Sequence, residues 1–328
     1  MRLTSLCLAG AVSVLAFFAI PSVGRADSLV DQLRAQAARE FGASNLTAGY
    51  AALIEFAVGD DVSADRFFVG EGPGQLDVDV YKLPIPFTLF RTKNGWRVFG
   101  QATFGYLLAR QDIESVGPDA PGERIKSTWR SYGVALGVGV EIPITKRLSV
   151  EPFVFFGYAR LENSAEYFGP VSTGLLKPAV DGILFDWTVD ALTFGASLAV
   201  GYKFSVGKLD VKLKTRFTRT EIRTIHVNGD FSKFNTVLNS IGSNAELVHP
   251  LPITVYGRNL SLVMLLSNTV FVGPDADALG FTYYFELGMA LQLDLTGYNL
   301  LAKRIRLGAN GVVGPNITGY SLILKASF

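Results

Sequence analysis

Residues 281–295 read Phe281-Thr282-Tyr283-Tyr284-Phe285-Glu286-Leu287-Gly288-Met289-Ala290-Leu291-Gln292-Leu293-Asp294-Leu295. Every odd position is apolar, and the even positions are polar or small. A period of two marks a β-strand with two unlike faces. A soluble sandwich also alternates, but it rarely sustains so long a strand. Leu209 to Phe217 repeats the pattern, setting Leu209, Val211, Leu213, Thr215 and Phe217 against Asp210, Lys212, Lys214, Arg216 and Thr218.

Composition agrees with long strands that face lipid. The chain has 328 residues, 49% hydrophobic and 18% charged, and 30 Lys+Arg against 29 Asp+Glu leave a net charge of +1. Its mean hydropathy is +0.30. That is too apolar and too neutral for a disordered or nucleic-acid-binding chain. Helical membrane spans need about 20 consecutive apolar residues each, and beyond the first segment polar residues interrupt the apolar runs too often. With 34 Gly, 24 Phe and 12 Tyr against 3 Met, the bias favours strands and tight turns.

The first segment has the layout of an export signal. Arg2 precedes an apolar run from Leu6 to Ile20, and Pro21-Ser22-Val23-Gly24-Arg25-Ala26 supplies small residues before Asp27. Residues 1–26 are therefore expected to be a signal peptide cleaved after Ala26. Cys7, the single cysteine, lies within it, so the exported chain is expected to lack thiol, disulfide or Cys-based metal chemistry. Residues 27–47 form a second unit, an N-terminal helix and linker. Ser28 and Asp31 suit a capping box, Leu29, Leu33, Ala37 and Phe41 recur at helical spacing, and Gly42 can end the helix.

From residue 48 to 328 the period is two. Twelve strands are expected, at 48–58, 76–90, 95–110, 127–142, 147–161, 184–204, 208–226, 246–257, 259–272, 280–295, 302–314 and 317–328. An outer-membrane barrel has an even strand number, short periplasmic turns and longer outside loops. Lys93-Asn94-Gly95, Thr145-Lys146, Val206-Gly207 and Gly257-Arg258 are turn-like, as is the stretch 296–302. Outside connections fall at 59–75, 111–126, 162–183 and 227–245. The eighth strand is the weakest, because Pro250 and Pro252 remove ladder donors. Leu251-Pro252-Ile253-Thr254-Val255-Tyr256 echoes Leu83-Pro84-Ile85-Pro86-Phe87-Thr88-Leu89-Phe90, and both are read as descending strands whose face switches at a bulge. Without the eighth strand, ten is the alternative count.

Tyr320, Leu322, Leu324, Ala326 and the terminal Phe328 alternate with Ser321, Ile323, Lys325 and Ser327. This tail resembles the targeting signal read by the barrel assembly machinery of Gram-negative bacteria. A leader, one helix and about twelve strands resemble the translocator domain of autotransporters, in which the helix runs inside the barrel and joins an upstream passenger. Only Asp27 to Thr47 precedes the barrel here, so no passenger is expected, and the similarity is to the solitary outer-membrane autotransporter-like β-barrel family, over essentially the whole mature chain. Asp27 to Gly42 also lacks the Asn-Asn pair at which some members cleave themselves. The resemblance implies a Gram-negative outer-membrane location, with outer-membrane lipids and the barrel assembly machinery as partners and no nucleic acid.

Outer-membrane lipases resemble one another in a His/Ser/Asn set with Ser close after His. Here His226 leads to Val227-Asn228 and His249 leads to Pro250. The acidic pairs Asp60-Asp61 and Asp275 with Asp277 read as solvated turn residues or weak cation contacts. No catalytic residue, cofactor or metal ligand is assigned, and the chain is expected not to be an enzyme. Gly70, Gly72 and Gly74 open no helix, so they do not form a phosphate cradle. Gly133, Gly137 and Gly139 either give a lumenal helix room or mark a bent strand.

Charges facing lipid near the midplane cost about 2–4 kcal/mol for Lys or Arg. Glu151, Asp210, Lys212, Lys214, Arg216, Glu286, Asp294, Arg304, Arg306 and Lys325 should therefore point into the lumen. The cations either line a weakly anion-selective path or pair with Glu286, Asp294, Glu151 and the helix acids Asp31 and Glu40, and the closed network is favoured because a twelve-stranded barrel is narrow. Trp96, Trp129, Trp187 and Tyr283 or Tyr284 are expected in aromatic girdles. The expected architecture is an all-β transmembrane antiparallel barrel, with the short N-terminal α-helix as lumenal plug or periplasmic cap. Its expected role is non-enzymatic, structural or surface-interacting through loops 162–183 and 227–245. A passive or gated pore for small solutes is the first alternative, and an outer-membrane hydrolase the second. Oligomeric state is not legible.

Overall fold

The computed structural model of the chain describes residues 30–37, 63–72, 74–114, 122–229, 233–255, 257–273, 280–296 and 303–327. Twelve antiparallel strands close into one barrel in which each strand pairs with its sequence neighbours and β1 pairs with β12. They are β1 Ser63–Val69, β2 Leu76–Arg91, β3 Arg97–Glu114, β4 Arg124–Pro143, β5 Leu148–Phe168, β6 Trp187–Val206, β7 Leu209–Asn228, β8 Asn235–Val255, β9 Arg258–Val272, β10 Tyr283–Asp294, β11 Arg304–Gly314 and β12 Ile317–Ser327. Ala64↔Leu322 through Val69↔Ile317 seals the ring. The lower end is where β1 begins and β12 finishes; the upper end carries the odd-to-even connections.

The alternating pattern becomes a lipid face. Leu287 is 68% exposed, Met289 62% and Leu324 60%. With Leu136, Val138, Phe156, Leu198, Phe217, Leu266 and Leu307 they form an apolar outer band. So extensive an exposed apolar surface on a folded chain fits a bilayer rather than water. Tyr81, Tyr106 and Tyr132 adjoin across β2, β3 and β4 on this face, with ring centroids 6.2 and 5.2 Å apart, and form part of an upper aromatic girdle.

Above that girdle the polarity of the two faces inverts. In the upper part of β4 the inward residues are Ile125 and Trp129, 0% and 1% exposed, while Arg124, Lys126 and Arg130 point outward. Lower in the same strand, Val134, Leu136 and Val138 point outward. The outward upper charges pair across strands, as in Arg110–Asp79 at 3.1 Å, Arg160–Asp190 at 3.8 Å and the Arg124–Asp112 pair. The longer strands thus carry a solvated collar above the apolar band.

Several expectations change. The segment 48–58, expected as the first strand, lies outside the described residues. The strand that closes the barrel is Ser63–Val69, inside what was expected as an outside connection, which shrinks to a turn where Gly70, Gly72 and Gly74 all have positive φ. The connection expected at 162–183 lies at 169–186, because β5 continues to Phe168. The one expected at 227–245 shrinks to 229–234, because β8 starts at Asn235. β8 runs its full length as a descending strand. Register irregularities fall at Pro250/Thr254 and at Thr88/Phe90, the two proline-bearing segments. Trp129 and Trp187 do not join a girdle: at 1% and 2% exposure they point inward, sharing parity with Ile125 and Val189. Trp96, 43% exposed beside a lower turn, and Tyr283 on the outer face do face outward.

The glycines of β4 meet aromatic rings. Phe153 covers Gly137, and a Cβ at Gly139 would stand 2.6 Å from Phe99 Cζ. Phe99 and Phe153 stack at 5.8 Å and 8°. The room left by the missing side chains is taken by neighbouring rings, which pin the strand register.

Candidate functional site

The lumen is filled in its upper half by two pieces of chain. The first is a helix at 30–37, α1, whose Val30, Leu33 and Ala37 share one face. Leu33 and Ala37 are 5% and 7% exposed and belong to one core with Phe67, Val78, Val80, Leu107 and Ile222 of the wall. The helix is therefore inside the barrel.

The second piece is the β5–β6 connection, which folds inward. A π-helical turn, Ser172–Leu176, runs into an α-turn, Lys177–Val180; together they are α2. Leu176, Ala179, Val180, Ile183, Leu184, Phe185 and Trp187 are all 5% exposed or less. Trp187 Nε1 donates to Leu184 O at 3.0 Å, so the indole is buried with its donor satisfied. Gly182, with φ +77, makes the reversal after α2.

Polar contacts fasten this inward fold to the wall. Glu123, 4% exposed before β4, accepts from the backbone N–H of Val171 at 3.0 Å and of Ser172 at 2.6 Å. These are donors that the start of α2 cannot satisfy internally. Burial pushes the Glu123 carboxyl up, but the side chain and backbone N–H of Ser172, with the N–H of Val171, outweigh it and hold the carboxyl below the ordinary carboxylate range. Tyr167 donates to Asp181 Oδ1 at 2.6 Å, and Lys177 pairs with Asp181 at 2.9 Å. Asp186, in a left-handed conformation at φ 55, accepts from Ala165 N at 3.0 Å, while its own N–H donates to Asn163 Oδ1 at 3.2 Å.

Arg34 joins the two pieces. Its guanidinium donates to Pro178 O at 2.9 Å and to Asp181 O at 3.0 Å, placing a cation at the C-terminal carbonyls of α2. Charge and helix dipole match there.

The lower lumen is polar. Lys214 and Arg216 converge on Glu151 at 2.9 and 2.6 Å. Lys212 and Arg306 converge on Glu246 at 3.4 and 3.0 Å, and Arg306 also donates to Gln292 at 3.0 Å. Arg97 meets Glu141 at 2.7 Å. Glu286 accepts from Ser267 at 2.8 Å, and Asp294 accepts from Thr296 N at 2.8 Å and lies in the field of Arg304 and Arg258. Asp210 accepts from Ser205 at 2.6 Å near the lower turn. Arg304 and Lys325 stand at the lower mouth. Asp31 is exposed on α1 with no ion pair among the described residues, and Glu40 lies outside them. Tyr320, Leu322 and Leu324 face outward, at 53–60% exposure; the side chain of Ala326 and all of Phe328 lie outside the described residues.

Arg34, Glu123 and Glu246 were not singled out from sequence. Glu246 had a signal: it opens the expected eighth strand, and it stands opposite Lys212. His226 and His249 are exposed on β7 and β8, and neither makes a hydrogen bond or ion pair among the described residues.

The profile of the solitary outer membrane autotransporter beta-barrel domain matches residues 75–325. No curated protein matches the chain by sequence. Among solved structures, the translocator domain of autotransporter NalP from Neisseria meningitidis superposes with a TM-score of 0.54 at 8% identity, covering 79% of this chain and 83% of that one. The transport unit of the autotransporter AIDA-I from Escherichia coli gives 0.51 at 11%, covering 81% and 88%. At such identities the likeness is one of fold. The profile match spans most of the barrel, so this chain is an outer-membrane β-barrel that belongs to the solitary outer membrane autotransporter beta-barrel family.

Proposed function

We propose that the protein is a sealed, non-enzymatic barrel of the outer membrane that acts as a structural or surface-interacting component. The observation that carries this reading is the double filling of the upper lumen, by α1 from within and by the β5–β6 connection from above. The connection that could have been a free outside loop is committed to the core. Surface contacts then fall to the solvated collar and the remaining short turns. Outer-membrane lipids surround the apolar band, and the barrel assembly machinery reads the terminal strand. Residues 1–26 act as the cleaved export signal. A second reading, a gated pore, is supported by the way the two plug pieces meet through Arg34. In the hydrolase alternative, His226→Ala or His249→Ala would abolish lipid or peptide hydrolysis.

Efflux from liposomes tests sealing. Refolded protein should retain a small entrapped dye as well as protein-free vesicles do. Rapid efflux of small solutes in the absence of any trigger would refute the sealed reading.

A further inference from the structure

Below the plug, Lys212, Glu246, Gln292, Arg304, Arg306 and Lys325 line a cavity of about 90 Å³. The lining comes from β7, β8, β10, β11 and β12, and Arg306 of β11 ties the two walls together through its 3.0 Å contact with Glu246 of β8. Arg306 is 7% exposed, so a buried cation forms the floor of the site. Its guanidinium is held in place by Gln292 as well.

Four cations line this cavity against one carboxylate, Glu246. Lys212 and Arg306 share it. The side chains of Arg304 and Lys325 make no hydrogen bond or ion pair within 4.0 Å among the described residues; Arg304 acts on Asp294, and Lys325 on Glu246, through the longer-range field. The lining therefore carries a surplus of three positive charges. Like charges gathered in a confined, partly desolvated space repel each other. A bound anion that removes this repulsion and accepts charge-assisted hydrogen bonds from Arg and Lys would be held by the site.

We infer that the lower lumen is a binding site for a soluble dianion of the phosphate or phosphomonoester class, taken up from the periplasmic mouth. The surplus of positive charge favours a multiply charged anion, and the cavity suits a small oxyanion. Arg304 opens β11 and Lys325 lies near the end of β12, so both stand at the lower opening. The filled upper lumen makes this a dead-end site rather than a stage of transit. The inference needs the orientation of the barrel, and binding can be measured whether or not the plug ever opens.

The test is titration calorimetry of the full refolded chain in detergent micelles with inorganic phosphate, at low salt and at about 0.15 M salt, where screening shortens to about 8 Å. Saturable one-site binding is expected. It should weaken by about tenfold or more in Arg304→Gln/Lys325→Gln, which loses both unpaired cations. Arg160→Gln, on the outer collar, should leave the affinity unchanged. Removing surplus like charges relieves repulsion, so the double variant should fold; the single variant Lys325→Gln provides an independent reading with a smaller loss. Absence of saturable binding, or equal affinity in wild type and both site variants, would overturn the proposal.

Discussion

Replacing Arg34 by alanine should loosen the upper plug by an amount that can be worked out. The guanidinium makes two hydrogen bonds to α2, one at 2.9 Å that is exposed and one at 3.0 Å that is partly buried. Hydrogen bonds involving a charged group contribute about 1.5–3 kcal/mol each when sheltered and less when wet, so the pair is worth about 2 kcal/mol. At about 1.4 kcal/mol per factor of ten, local opening of the connection should become about 30-fold more frequent. The chain has one cysteine, Cys7, so a Cys7→Ser background carrying Ala179→Cys places a single thiol at a site that is 0% exposed. Labelling of that thiol by a membrane-impermeant maleimide in proteoliposomes reports opening directly. Arg34→Ala should raise the labelling rate by about 30-fold, with Arg34→Lys in between because a cation remains at the α2 carbonyls. A rate within about twofold of the parent would refute the latch.

Other perturbations test other layers of the account. Glu123 is held below its ordinary pKa of 4.5, so its hold on α2 is present above that value and is lost as pH falls through the lower folded value. Hydrogen exchange at the amides of Val171 and Ser172 should therefore accelerate in Glu123→Gln at neutral pH, and in the wild type only at strongly acidic pH. Glu151→Gln strands Lys214 and Arg216 and should cost about 2 kcal/mol in urea unfolding. Phe153→Ala, which uncovers Gly137 and removes a ring 4% exposed, should cost about 3–5 kcal/mol in the same assay. Leu287→Arg, on the lipid face, should cost about 2–4 kcal/mol if it sits near the midplane.

The barrel was legible wherever the outer face is apolar and the inner face polar. β7, β10 and β12 satisfy this over most of their length, and parity with turn chemistry then demanded β8 despite its prolines. The pattern weakens where the two faces change roles. In Arg124-Ile125-Lys126-Ser127-Thr128-Trp129-Arg130 the apolar residues face inward, and the residues above the lipid band carry charge outward. Period alone does not say which face is inside, so it suggests a girdle place for Trp129 and Trp187, which point inward, and an end for β5 short of Phe168. β1 carries Asp65 and Arg66 and spans only Ser63–Val69, whereas 48–58 is more uniformly apolar. The plug connection was missed for a different reason. Leu175-Leu176 and Ile183-Leu184-Phe185 have no period, and apolar residues in a connection gain meaning only when the closed lumen offers a core to receive them. Arg34 is likewise silent in sequence, because its partners are main-chain carbonyls 144 and 147 residues away.

The most direct test of the sealed lumen is single-channel conductance in planar bilayers, with and without residues 27–45. The account predicts that the full chain is closed and that truncation, by removing α1 and with it the Arg34 support of α2, produces measurable openings. Steady conductance of the same size in both forms would contradict it, because α1 would then lie outside the conducting path.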